Sequence, residues 1–276
     1  MTTLGTLSIH LDGAPCRVGC AWCYLAARVE LAPSPAARPD HVHLPIVAAA
    51  LGRLDYDEVA VAVSEPLDRA LPRLRAIVAA ARAPVAVTTT PQLARRAPRA
   101  LLDGVARLNL SIDSHKGVVE PARVQELTAG LKVAHPALEI VLIATLDSPA
   151  FAARLVDEGL LAALVALPSV DKVALNALKP PPPWCDRRFW MAALGRLEPL
   201  LAVELEKRLF LDCYVAARLV GLGGCPGRAD LSPAAGGVAF RACVYQPAPD
   251  LVGDVDALAA AARDYRPPPC CPFEIR

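Results

Sequence analysis

The sequence is poor in aromatic residues, in net charge and in long uninterrupted apolar runs. Phe, Trp and Tyr make up 5% of the 276 residues, which argues against a base-stacking platform for single-stranded nucleic acid. Lys and Arg number 29 against 28 Asp and Glu, a formal net charge of +1. With no global basic field, nucleic-acid binding driven by counterion release is not expected. No segment reads as a membrane span. The most apolar long window, Ala150 to Leu167, is interrupted by Arg154, Asp157 and Glu158 and suits an amphipathic helix. The opening MTTLGTLSIHLDG has no basic run ahead of an apolar core, so no signal peptide and a cytoplasmic setting are expected. A P-loop, a G-x-S-x-G elbow and an H-E-x-x-H helix are also missing.

What is there is a dense apolar pattern. The chain is 54% hydrophobic and 21% charged, which excludes wholesale disorder. Short β-branched or apolar runs at Leu4–Leu11, Glu58–Ser64, Pro84–Thr90, Val105–Asp113, Leu138–Leu146 and Asp171–Leu178 predict six strands, and Arg208–Cys213 a seventh. Helical stretches fall between them at Leu67–Arg82, Pro91–Leu102, Val119–Ala134 and Pro149–Leu164, with a further helix at Arg187–Val203. Strands alternating with helices of this length predict repeated βαβ units and a parallel sheet. The proline run of Lys179–Trp184 closes the repeating part, because it continues neither helix nor central strand. Beyond it glycines cluster, and SPAAGGVAFRAC predicts a hairpin with a Gly-Gly turn.

Nine cysteines are unevenly placed. Cys16, Cys20 and Cys23 lie within eight residues, then none follows until Cys185, with Cys213, Cys225, Cys243, Cys270 and Cys271 beyond. An odd total fits a disulfide framework poorly, so metal or iron–sulfur ligation is expected. The triplet directly follows the first predicted strand, and parallel α/β folds build their sites on the loops at that end. Three thiolates on a short loop suit three irons of a cubane cluster, leaving one iron open. A zinc knuckle completed by a distant fourth ligand is the alternative.

The C-x3-C-x2-C spacing with Trp22 before the last cysteine resembles the signature of radical S-adenosylmethionine enzymes. The resemblance covers about residues 4–180 and implies a partial (β/α)6 TIM-like barrel at 1–206. It also implies a [4Fe–4S] cluster on Cys16, Cys20 and Cys23, with S-adenosylmethionine bound at the open iron. Reductive cleavage there would give a 5′-deoxyadenosyl radical that abstracts hydrogen from substrate. In the same frame Ser64-Glu65-Pro66 resembles the segment that engages the methionyl ammonium, although glycines are missing. Ser111, in Asn109–Asp113, resembles the family's ribose or carboxylate contact. The backbone near Asn176–Leu178 would meet the adenine. Thr88-Thr89-Thr90 receives no role.

The remaining cysteines resemble SPASM and twitch extensions. Residues 207–276 are expected as a small iron–sulfur cap holding one auxiliary [4Fe–4S] cluster on Cys213, Cys225, Cys243 and one of Cys270 or Cys271. Gly237 stands one residue further from Cys243 than the usual spacing, and the C-x2-C-x5-C run is absent. Structural thiols or zinc are the alternatives, and Cys185 is unassigned. The resemblance implies peptide modification, or oxidation of a small alcohol or sugar, with a peptide or small-molecule substrate. An external electron donor such as flavodoxin or ferredoxin is implied, with no nucleic-acid or membrane partner. With about five residues ahead of the first strand, no N-terminal peptide-recognition domain is expected. A non-catalytic iron–sulfur or zinc protein is the contrasting reading. His41-Val42-His43 is assigned to a proline-flanked loop, and His115 is a weak substrate-contact candidate.

Overall fold

A computed structural model describes residues 4–11, 40–63, 66–95, 102–116, 119–178, 183–201, 209–211, 228–234, 237–243 and 249–265. Seven strands run β1 (Thr6–His10), β2 (Glu58–Ala62), β3 (Val85–Thr89), β4 (Val105–Ile112), β5 (Glu139–Leu146), β6 (Lys172–Ala177) and β7 (Leu209–Leu211). Each pairs in parallel with the next. Between them lie α1 (Asp40–Leu51), α2 (Leu67–Ala80), α3 (Pro91–Ala94), α4 (Pro121–Ala134), α5 (Pro149–Val156), α6 (Leu160–Val165) and α7 (Arg187–Leu201). The chain continues through β8 (Arg228–Ala234), β9 (Gly237–Arg241), β10 (Leu251–Gly253) and α8 (Val255–Arg263).

All strands share one sheet, ordered β10-β9-β8-β1-β2-β3-β4-β5-β6-β7. The expected hairpin is present as β8 and β9, with Asp230 opposite Arg241 and Ala234 opposite Gly237. Its placement differs from expectation. β8 pairs in parallel with β1, Thr6 against Arg228 and Ser8 against Asp230. In a six-stranded partial barrel β1 would be an edge. Here an eighth strand pairs in parallel with β1 and occupies that edge, and β9 lies antiparallel on its other side. The described part of residues 207–276 therefore extends the main sheet and shows no iron–sulfur cap.

Period-2 alternation divides the sheet into two faces. Leu7, Ile9, Val59, Val61, Val87, Leu108, Leu110, Ile140, Leu142, Val173 and Leu175 form a single core with Leu51, Leu74, Ile77, Phe151, Leu155 and Leu164 from the helices. The opposite set of side chains is mixed, with Ala60, Ala86 and Val141 beside polar groups. Ser8, His10, Asn109, Asp230 and Ser232 belong to it and are all buried. At its N-terminal end Arg107 Nη2 donates to Glu58 Oε1 at 2.5 Å, with Nη1 3.8 Å from Glu139 Oε2. Lys172 Nζ lies 2.6 Å from Glu139 Oε1. Ala86, on the strand between Glu58 and Arg107, leaves the guanidinium room to cross. These pairs tie β2, β4, β5 and β6 together at that end.

Several local expectations are corrected. His41 and His43 lie on α1, not in a loop, and Pro45 sits inside that helix. A proline removes one helical hydrogen bond, but α1 packs Val47, Ala50 and Leu51 into the core. His43 Nε2 donates to the Ala234 carbonyl at 2.8 Å, tying α1 to β8. The helix expected over Pro149–Leu164 is two helices. Gly159, at φ 75°, adopts the left-handed conformation between them, where glycine carries no Cβ penalty. Of the helix expected at Pro91–Leu102, Pro91–Ala94 is described. Among the described residues no helix is long and apolar enough to cross a membrane.

The β9–β10 pair depends on a close approach. A Cβ on Gly237 would stand 2.5 Å from the Gly253 carbonyl oxygen, a backbone atom that a rotamer change cannot move. Gly237→Ala is expected to cost about 1–3 kcal/mol, the range for overpacking, read as a lower urea midpoint. An unchanged midpoint would refute this close contact.

Candidate functional site

The ends of β4 and β5 carry a compact polar cluster. Asp113 directly follows β4 and is fully buried. Its Oδ1 accepts the backbone N–H groups of His115 at 3.0 Å and Lys116 at 2.9 Å. That Asx-type turn brings Lys116 back over the strand end. There its Nζ lies 2.5 Å from Asp113 Oδ2 and donates to Ser111 Oγ at 2.8 Å. Ser111 shares the polar face of β4 with Arg107 and Asn109, since residues two apart point the same way. Lys116 keeps 16% of its side chain exposed while Asp113 keeps none.

Asp147, after β5, closes the cluster on the neighbouring side. Its Oδ2 accepts Ser114 N at 2.7 Å and Ser114 Oγ at 2.6 Å. Its Oδ1 accepts Ser148 Oγ at 3.1 Å, and Ser148 Oγ caps α5 by accepting Phe151 N at 3.2 Å. The β4–α4 and β5–α5 turns are thus tied together. An ammonium held in one position by a carboxylate and a hydroxyl can meet an oxyanion or carbonyl oxygen without reorganising.

A second polar cluster lies on β1, β8 and β9. His10 Nε2 is 3.0 Å from Asp230 Oδ1, with 4% and 0% of the side chains exposed. Arg241 Nη1 lies 3.4 Å from Asp230 Oδ2 and donates to Ser232 Oγ at 2.8 Å. Asp230 is thereby held between His10 and Arg241, with all three side chains buried.

The structure places three of the residues expected to bind cofactor or metal. Ser111 is at the strand-end cluster as Lys116's acceptor. Pro66 precedes α2, and its carbonyl accepts Arg69 N at 2.9 Å and Ala70 N at 3.3 Å. Cys243 is buried just beyond β9 and, like Cys185, carries no disulfide. Cys16, Cys20, Trp22, Cys23, Ser64, Glu65, Cys213, Cys225, Cys270 and Cys271 lie outside the described residues. Sequence reasoning missed Lys116, Asp147, Asp230 and Arg241. For Lys116 the available signal was Asp113-Ser114-x-Lys116 at a strand end, an Asx turn that returns a cation to the strand. Nothing in the sequence pairs Asp230 with His10.

The fold and this strand-end cluster define a parallel α/β protein whose described polar site sits at the C-terminal strand ends. No family model matches the chain, and no curated protein matches it. Among solved structures it is similar to N-acetylneuraminate lyase (sialic acid aldolase) from Aliivibrio salmonicida, at 12% identity and TM-score 0.45, over 81% of this chain and 68% of that one. The assignment to the radical S-adenosylmethionine enzymes is corrected accordingly. No family model supports it, and β1 is not the edge strand that assignment implies. Among the described residues no group of three His, Cys, Asp or Glu could hold a metal ion. The radical and iron–sulfur chemistry, its peptide-modifying and oxidative variants included, is set aside with the family. At this identity and TM-score the likeness carries no activity over to the chain.

Proposed function

We propose that the protein is an enzyme whose substrate, a small molecule or a peptide segment, is held at the C-terminal ends of the parallel strands with Lys116 as its electrostatic anchor. The observation that carries this reading is Lys116, whose ammonium is fixed by Asp113 and Ser111 and whose side chain is partly exposed. Parallel α/β sheets bind ligands at that end, and an oriented cation there stabilises developing negative charge. Lys116 is paired with a carboxylate, so its role in this reading is to attract and orient an oxygen of the substrate and not to attack it.

The cofactor expectation becomes a separate proposal: Cys16, Cys20 and Cys23 bind a transition metal. The support is the donor set, three soft sulfur ligands within eight residues, on the connection that follows β1. Metal analysis of anaerobically purified protein checks it. At least one equivalent of metal is expected, and none in the triple Cys→Ala variant.

The enzymatic reading is tested by incubating metal-analysed protein with a cell metabolite extract under anaerobic conditions and following species by mass spectrometry. The wild-type chain is expected to consume at least one compound. Lys116→Met is expected to slow that consumption on the order of 100-fold, the scale of losing one charge-stabilising donor, with an unchanged circular dichroism spectrum. Equal consumption by both proteins, or none by either, overturns the reading.

A further inference from the structure

A groove of about 590 Å³ is lined by the end of α3 and one side of α4, and none of its lining residues belongs to the strand-end cluster. Its size is that of a small-molecule site. Two guanidinium groups open on it, Arg95 and Arg123, together with the carboxylate of Glu126. Neither arginine has an ion-pair partner among the described residues. Leu127 and Leu131 provide an apolar wall, and Gly130 lies between them.

Gly130 is the second observation. It sits in the interior of α4, where glycine is unfavourable relative to alanine. A Cβ there would meet nothing within 4 Å, so crowding by the rest of the protein does not require glycine. Gly130 leaves helix backbone open on the groove wall beside Leu127 and Leu131.

We propose that this groove binds a small organic phosphate that carries hydroxyl groups. Arg95 and Arg123 meet the phosphate oxygens, for which planar guanidinium groups offer paired donors. Glu126 accepts from a hydroxyl of the organic part. Leu127 and Leu131 pack its carbon skeleton, and the missing side chain at Gly130 provides the depth. This site is independent of the strand-end reading above and survives its failure.

The test is calorimetric titration of the full chain with AMP, glucose 6-phosphate, inorganic phosphate and citrate. One of the two esters is expected to bind saturably and at least 10-fold more tightly than inorganic phosphate or citrate. Arg95→Gln and Arg123→Gln are each expected to weaken it about 10-fold, as loss of a charged hydrogen-bonding partner does. Glu126→Gln is expected to narrow the preference for ester over inorganic phosphate. Gly130→Leu fills the groove and abolishes binding. Gly130→Ala, for which there is room, keeps binding within about 2-fold and raises the unfolding midpoint, because alanine is the better helix former. Arg263→Gln on α8 is the distant control and changes nothing. No saturable binding of either ester, equal affinity for citrate or inorganic phosphate, or an equal loss in Arg263→Gln overturns the proposal.

Discussion

Asp230→Ala is expected to cost about 3–5 kcal/mol, the scale for breaking a buried ion pair by removing one partner. Asp230 and Arg241 have fully buried side chains, and His10 is 4% exposed. In the intact protein the carboxylate answers Arg241 on one oxygen and His10 on the other. Alanine removes both of those contacts and leaves the guanidinium buried. A cost of that size is a large part of the stability of an ordinary domain, about 5–15 kcal/mol, so the variant is expected to unfold at much lower urea. The loss falls where β8 joins β1, the contact that makes β1 an interior strand. A double-mutant cycle supplies the check. Asp230→Ala combined with Arg241→Met removes both members of the pair, so the double variant is expected to be more stable than the sum of the two single losses predicts. Strict additivity would show that the two groups do not depend on each other.

Trp190→Ala is expected to cost about 3–5 kcal/mol, as truncation of a large buried aromatic does. Trp190 is completely buried on α7. It meets Phe189 edge-on, with ring centroids 5.6 Å apart, and Phe189 meets Trp184 in the same way at 5.4 Å. The alanine variant leaves a cavity where α7 joins the core. Trp190→Phe separates packing from polarity. The indole Nε1 has no hydrogen-bond partner among the described residues, and an unsatisfied buried donor carries a desolvation cost of about 1–3 kcal/mol. Phenylalanine keeps most of the ring and removes that donor, so it is expected to cost far less than alanine. Urea unfolding of both variants decides this. Equal losses would place Trp190 outside a packed core.

The strands were legible because each is a short apolar run bounded by turn residues. The run at Glu58–Ser64 became β2 at Glu58–Ala62, and that at Leu138–Leu146 became β5 at Glu139–Leu146. The break at Gly159 escaped notice because the apolar residues on both sides keep one helical pattern, and only the backbone shows the left-handed turn. His41 and His43 were misplaced because flanking prolines read as loop, whereas core packing by α1 outweighs the hydrogen bond lost at Pro45. The cysteine triplet led to a family that neither the comparisons nor the edge of the sheet supports. A spacing of a few residues fixes a local loop's chemistry only when the strands around it have the matching arrangement.

By itself the sequence determined a parallel α/β protein, the positions of most of its elements and a hairpin near residue 236. Those follow from periodicities of about 2 and 3.6 residues, which act over one or two turns. Only the tertiary structure decided that β8 lies beside β1, that Asp230 meets His10, and that Lys116 returns to Ser111. The first two join residues more than 200 positions apart. Such contacts depend on strand register across the whole sheet, which no local window contains, and the return of Lys116 depends on one carboxylate bending the chain at a strand end.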